Sequence, residues 1–436
     1  MNAGSDPESL QLPERARLLH IGLAKTGTTS LQNAASAKRA SLLEHGVRYP
    51  GRSVNHRYQA MGLMRRSVRW SGPGSPRPSL KKWQRLMREV EADTTNRILV
   101  SHELISLSDD AQAAKFIESL GPRTHVVVTV RSIAQTLPSY WQQYLKSGLV
   151  HPFDDWLKLV LSETPDPSVT PAFQFRLRQG EIVRRWAGLV GADSVTVVVV
   201  DKNRRDLLPQ SFEALLGLPD GILADAPTGG FNSNRSMSLP EAEALREFNA
   251  RQPVASTDWA IHGDLIKRGA IKSLLNDRTP GEGERRVVPP TWALERAGEL
   301  SQLAVTEIQA SGVRVVGDLD ALTDPGTPGG DSLVADQVPV EVAADLLAGA
   351  FAAAVKRDAR ARSPKTASRT ARAASAPAAP EGTTPAPQAA PRPAPEPVRQ
   401  RAARPTGAAA RAAAEYRSTD MLKALGIKAR SRLRRR

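Results

Sequence analysis

The stretch Leu18-Leu19-His20-Ile21-Gly22-Leu23-Ala24-Lys25-Thr26-Gly27-Thr28-Thr29-Ser30-Leu31-Gln32 limits the possible folds more than any other part of the chain. It opens on a short apolar run, which reads as a buried strand. A loop bounded by Gly22 and Gly27 follows, and residues 28–39 can continue as a helix. A strand that feeds a glycine-rich turn into a helix N-terminus is a phosphate cradle. Unpaired backbone N–H groups and the positive end of the helix dipole point at the same spot.

The rest of the chain alternates in the same way. Residues 97–101, 124–130 and 195–200 are apolar, β-prone runs, and 313–316 is a shorter one. Helical patterns lie at 78–96, 111–120, 134–146, 153–162, 173–190 and 206–216, then at 232–249, 291–310 and 340–356. The near-continuous hydrophobicity of 124–130 suggests a strand covered on both faces. This alternation predicts an α/β fold, a doubly wound, mainly parallel sheet with helices on both faces. Residues 53–78 have little periodicity and read as a long surface excursion of the kind that shapes a cleft, with His56 a surface histidine and, as the alternative, a contact for a bound substrate.

Charge is confined to one end. The 436 residues carry a net +15, but residues 356–436 hold 20 Lys/Arg against 5 Asp/Glu, leaving 40 of each in 1–355. The body gives no electrostatic case for a specific nucleic-acid partner. The absence of Cys excludes disulfides and thiolate metal sites. Residues 1–15 lack the apolar core of a secretory leader. No apolar stretch approaches the roughly 18 residues of a membrane span. A cytoplasmic protein with no integral membrane segment is expected. Four regions follow: a flexible N-terminus (1–16), an α/β domain (17–356), a disordered Ala/Pro/Arg-rich linker (357–407) and a basic tail (408–436) able to form a helix. The tail reads as solubilising. Peripheral contact with anionic lipid on the inner face of a membrane, or with another polyanion, is the sharper alternative.

Two further anchors accompany the loop. Arg131 stands where the run 124–130 ends, and Ser139 lies eight residues later. Parallel sheets bind ligands at the carboxyl ends of their strands, where an arginine can fork onto a phosphate. Ser101-His102-Glu103 ends another strand and should open onto the same edge. The loop itself departs from the nucleotide-triphosphatase motif G-x-x-x-x-G-K-[ST], which puts lysine after the second glycine and a hydroxyl beside it for magnesium. Here Thr28 follows Gly27, and Lys25 lies inside the loop. That arrangement points to an anion held by backbone and lysine without an obligatory metal.

The pattern K-[TS]-G-T-[TS] after a strand resembles the 5′-phosphosulfate loop of sulfotransferases, which use 3′-phosphoadenylyl sulfate (PAPS). The separation of Arg131 from Ser139 is similar to that in their 3′-phosphate site. Ser101-x-Glu103 resembles the S-x-E of bacterial members, whose glutamate takes a proton from the acceptor. Cytosolic members use a histidine, which keeps His102 as the second candidate. The resemblance covers roughly residues 17–322, with motif-grade matches at these three anchors alone. Lys267-Arg268-Gly269 resembles, in altered order, an R-K-G element that closes on the 3′-phosphate in cytosolic members. Its surroundings do not match, and chance is the simpler account.

The resemblance implies a P-loop NTPase-like fold and transfer of a sulfuryl group from PAPS by in-line displacement, with no metal required. The group would pass to a hydroxyl or amine of a small-molecule or glycan acceptor, a carbohydrate or glycolipid by default. Lys25, Thr26, Gly27, Thr28, Thr29 and Ser30 would hold the 5′-phosphosulfate, and Arg131 and Ser139 the 3′-phosphate. Glu103 or His102 would be the base. Two alternatives stay open: an ATP-dependent phosphotransferase on the same fold, and a non-catalytic adaptor acting through the basic tail.

Overall fold

The computed structural model describes residues 10–66, 77–164, 169–170, 173–225, 235–253, 258–326, 335 and 337–362. Six strands form one open sheet: β1 (Arg17–His20), β2 (Val47–Arg48), β3 (Arg97–Ser101), β4 (Thr124–Val130), β5 (Val195–Val199) and β6 (Arg314–Val316). Their order across the sheet is β2-β3-β1-β4-β5-β6, and every neighbouring pair is parallel. Leu18 is level with Leu99 and His125, and Val197 with Val128 and Val315. All carboxyl ends therefore lie on one rim. From β1 the chain runs to β2 on one side and, after β3, crosses to β4 on the other, so the loop after β1 opens at the switch point, where such sheets bind ligands.

The first helices are α1 (Thr28–Ala37), α2 (Arg39–Glu44), α3 (Arg57–Met64), α4 (Lys81–Ala92) and α5 (Asp110–Leu120). Between β4 and β5 lie α6 (Ile133–Leu145), α7 (Phe153–Leu161), α8 (Phe173–Leu177) and α9 (Gln179–Val190), and α10 (Leu207–Leu216) follows β5. Then come α11 (Leu239–Arg251), α12 (Trp259–His262), a π-helix (Gly263–Ala270), α13 (Ile271–Asp277), α14 (Thr291–Ala310) and α15 (Val340–Ala361).

Successive strand residues point to opposite faces. Leu18, Leu99, Val127 and Val198 pack with α1, α2 and α10, while Leu19, Val100, Val126 and Val197 pack with α4, α5, α9 and α14. With both faces covered, β4 and β5 are buried along their whole length, which is why they read as unbroken apolar runs. A separate core joins α6, α7, α8, α11 and α14 around Trp141, Phe153, Trp156 and Phe173. The fold is the α/β architecture that the alternation predicts.

Several boundaries differ from the sequence reading. Leu10 and Leu12 are buried, and the Leu12 amide donates to the Leu215 carbonyl at 2.9 Å, so the expected flexible N-terminus is packed from Leu10 onward. The expected excursion contains α3, with Ala60, Met61 and Met64 buried. Its pattern is hidden because Gly62 supplies close backbone approach in place of an apolar side chain: a Cβ there would meet the Ser79 carbonyl oxygen at 2.6 Å. Residues 67–76 of that stretch lie outside the described residues. Residues 173–190 divide into two helices at Arg178. By its contacts the chain divides at Arg357, and the described residues before that point form one compact unit. Beyond residue 362, the expected linker and basic tail lie outside the described residues. Among those described, no helix is long and apolar enough to cross a membrane.

Candidate functional site

The loop after β1 is a tight arch built on positive φ angles at Gly22 (83°), Lys25 (70°) and Gly27 (81°). Gly27 precedes α1, and no side chain caps that helix. The amides of Lys25, Thr26, Gly27, Thr28 and Thr29 therefore have no acceptor among the described residues. The Ser30 amide, expected with them, donates instead to the Gly27 carbonyl at 3.0 Å. The Thr26 and Thr28 hydroxyls turn inward and donate to the Leu23 carbonyl at 2.6 and 3.0 Å. Both side chains are buried, so they brace the loop, and only the Thr29 and Ser30 hydroxyls are exposed at its mouth.

A chain of buried hydrogen bonds ties the three central strand tips to this loop. Thr26 gives its proton to Leu23, so Thr129 must donate to the Thr26 hydroxyl, 2.6 Å away. The Thr129 oxygen then accepts from His20 Nε2 at 3.3 Å, and His20 Nδ1 accepts from the Ser101 hydroxyl at 2.9 Å. This direction requires a neutral His20, and burial does push its pKa down to about 3. Gln32 in α1 closes the network, donating to Ser101 Oγ at 3.1 Å and to Glu103 Oε2 at 3.5 Å.

Glu103 follows β3, and its side chain is 27% exposed. Gly22 lies directly against it: a Cβ at Gly22 would come within 2.7 Å of Glu103 Cα and Cβ. His102 is buried, and its Nδ1 accepts from the Leu104 amide at 3.0 Å. The 3.3 Å approach of Glu103 Oε2 to that nitrogen is therefore no ion pair. Burial holds the imidazole near pKa 4, and its Nε2 is enclosed without a partner among the described residues. His102 thus caps the turn after β3 and presents no nitrogen to a ligand. His56 is not on the surface: Ser101 donates its amide to His56 Nδ1 at 3.0 Å, and Nε2 lies 2.9 Å from the Pro50 carbonyl.

Lys25 is mostly enclosed. Burial, reinforced by Lys146 and Arg176 and opposed by Glu103, lowers its pKa to about 8. Arg131 stands on the same rim: its guanidinium donates to the Lys25 carbonyl at 3.5 Å and to Gln135 Oε1 at 3.2 Å. Ser139 makes no contact with Arg131 among the described residues; one helical turn beyond Gln135 on α6, it is half-buried. A small cavity under the loop is lined by Leu23, Thr26, Arg131, Tyr140, Arg176 and Gln179. The Tyr140 hydroxyl donates to the Ala24 carbonyl at 2.7 Å, and Arg176 lies 5.1 Å from the Tyr140 ring centroid.

No protein-family profile and no curated protein sequence matches the chain. The crystal structure of a sulfotransferase from Alicyclobacillus acidocaldarius is similar to it, with 16% identity and a TM-score of 0.35. The likeness spans 56% of this chain and 94% of that one.

Proposed function

We propose that the chain transfers a sulfuryl group from PAPS to a hydroxyl or amine of an acceptor. The observation that carries the reading is the meeting of two anion-binding groups at one rim. Arg131, at the end of β4, touches the carbonyl of Lys25, the one lysine of a loop whose amides are open. A nucleotide phosphorylated at both 3′ and 5′ positions suits that pair, since the loop can hold one group and the guanidinium the other.

In this reading the Lys25, Thr26, Gly27, Thr28 and Thr29 amides, with the Lys25 ammonium, hold the 5′-phosphosulfate, and Thr29 and Ser30 hydroxyls are available at the mouth. Arg131 holds the 3′-phosphate, with Ser139, one turn beyond Gln135 on α6, as a further donor. PAPS supplies an activated sulfuryl group and leaves as 3′,5′-ADP. Glu103 takes the proton from the acceptor as the new bond to sulfur forms and the bond to the phosphate oxygen breaks. Lys25 stabilises the charge that collects on that oxygen, a preorganised electrostatic contribution of the kind that dominates group transfer.

Calorimetry tests the donor before any acceptor is known. The expected result is binding of 3′,5′-ADP without magnesium, weakened about tenfold or more by Arg131→Ala, while 5′-AMP binding hardly changes. Equal losses for both nucleotides would remove Arg131 from the 3′-phosphate. A requirement for magnesium, with ATP preferred, would favour phosphoryl transfer.

A further inference from the structure

The rim holds more cations than a donor site needs. Lys25, Arg131 and Arg176 border the loop and the cavity beneath it. A second group comes from other elements: Arg57 opens α3, Lys146 follows α6, and Lys267 lies in the π-helix. Lys267 Nζ donates to the hydroxyl of Ser147, the neighbour of Lys146, at 3.2 Å, and sits 4.4 Å from the Trp259 ring centroid. Arg57 bears electrostatically on Lys267 and on His102 beside Glu103, and Lys146 bears on Lys25. Lys267 and Lys146 thus border each other through Ser147, and Arg57 and Lys25 lie within electrostatic range of them.

None of these three cations has an ion-pair partner among the described residues, and Arg57 Nε is buried there without any hydrogen-bond partner. The contrast with their surroundings is sharp. Arg235, close to Lys146, is paired with Glu241, which also pairs with Arg278, itself paired with Glu284. Carboxylates therefore stand beside cations in this region where the fold alone is served. Gathering like charges in a half-buried group is unfavourable unless a ligand brings the opposite charge. Burial lowers the pKa of Lys267 to about 8 and depresses that of Lys146, the same unfavourable balance seen from the protons.

We propose that the acceptor is an anion, and that Arg57, Lys146 and Lys267 receive a carboxylate or phosphate group carried by it. The proposal rests on the sulfotransferase reading for the word acceptor, but the anion subsite can be tested by itself. Neutral sugars would lack the group that these cations select.

The test is calorimetric titration of the 3′,5′-ADP-saturated protein with glucuronate, glucose 6-phosphate and glucose. At least one anionic sugar should bind about tenfold or more tightly than glucose, and which one does so separates carboxylate from phosphate. Lys267→Gln and Arg57→Gln should each erase that advantage while 3′,5′-ADP affinity holds, and Arg57→Lys should restore part of it. The proposal is overturned if neither anionic sugar outbinds glucose, or if the advantage survives both substitutions. It is also overturned if Lys267→Gln weakens 3′,5′-ADP itself, which would put the lysine on the donor. Failure of 3′,5′-ADP to bind the unaltered protein would count against the donor reading alone. The same sugar titrations on the nucleotide-free protein would then still decide the subsite.

Discussion

Lys25 is held where its charge matters and is hard to keep. Its ammonium is enclosed beside Lys146 and Arg176, so half of it is lost near pH 8. An anion in the loop favours the charged form, so above that pH each binding event must take up a proton. Affinity for 3′,5′-ADP should be level between about pH 6.5 and 7.5 and then fall by up to about tenfold per pH unit. Lys25→Arg should flatten the profile, because guanidinium stays protonated; a flat profile in the unaltered protein would detach Lys25 from the anion. Lys25→Met should abolish transfer of labelled sulfate with circular dichroism unchanged. The base is tested separately. Glu103→Gln should lower turnover by about 10²–10⁴ while 3′,5′-ADP still binds. His102→Asn, which can still accept from the Leu104 amide, should retain most of the turnover, and equal losses would move the base to His102.

At the level of the strand tips, the loop depends on three histidines that stay neutral. Burial sets His20 near pKa 3 and both His56 and His102 near 4. Unfolded histidines take up protons below about pH 6.5. The folded chain does so only near or below pH 4, so acid favours unfolding. Stability should be complete above pH 6.5 and decline steadily toward pH 4, read as a falling urea midpoint; a level midpoint would contradict the buried network. Gly22→Ala should cost more than Gly27→Ala. The first drives a Cβ into the Glu103 backbone, whereas the second meets the movable end of Leu208. These elements also mark how far the sequence can be read. The loop, Arg131 and Glu103 were legible because each depends on local chain geometry: a strand, its end and the residues directly after it. Gln32, Arg57, Lys146 and Arg176 were not, since they come from three helices and the end of a fourth and converge only through tertiary packing. His56 was misread because the aperiodic stretch around it conceals a side chain that pairs with the end of β3. Thr26 and Thr28 fit the motif as candidates, but nothing in the residue letters says which way a hydroxyl turns.

Across the whole molecule, the net charge lies past residue 355, close to the division at Arg357. Residues 1–355 balance, so the pull on anions at the rim is local and owes little to net charge. Deleting residues 358–436 should leave melting temperature and 3′,5′-ADP affinity unchanged while abolishing adsorption to vesicles of anionic lipid. Sulfate transfer that survives the deletion would count against the adaptor alternative, which acts through the tail alone. One long-range arrangement reaches the rim from behind. Gly269 and Gly349 let α15 lie against the π-helix so closely that a Cβ on either would meet the other's carbonyl oxygen at 2.8 Å. The wider winding of that helix places Lys267 over Trp259. Shortening the segment ahead of Lys267 by one residue would restore ordinary winding and swing the ammonium round the axis by about 100°. On the proposed reading, the range of acceptors is thus open to change by insertion and deletion, with the residues assigned to the donor left as they are.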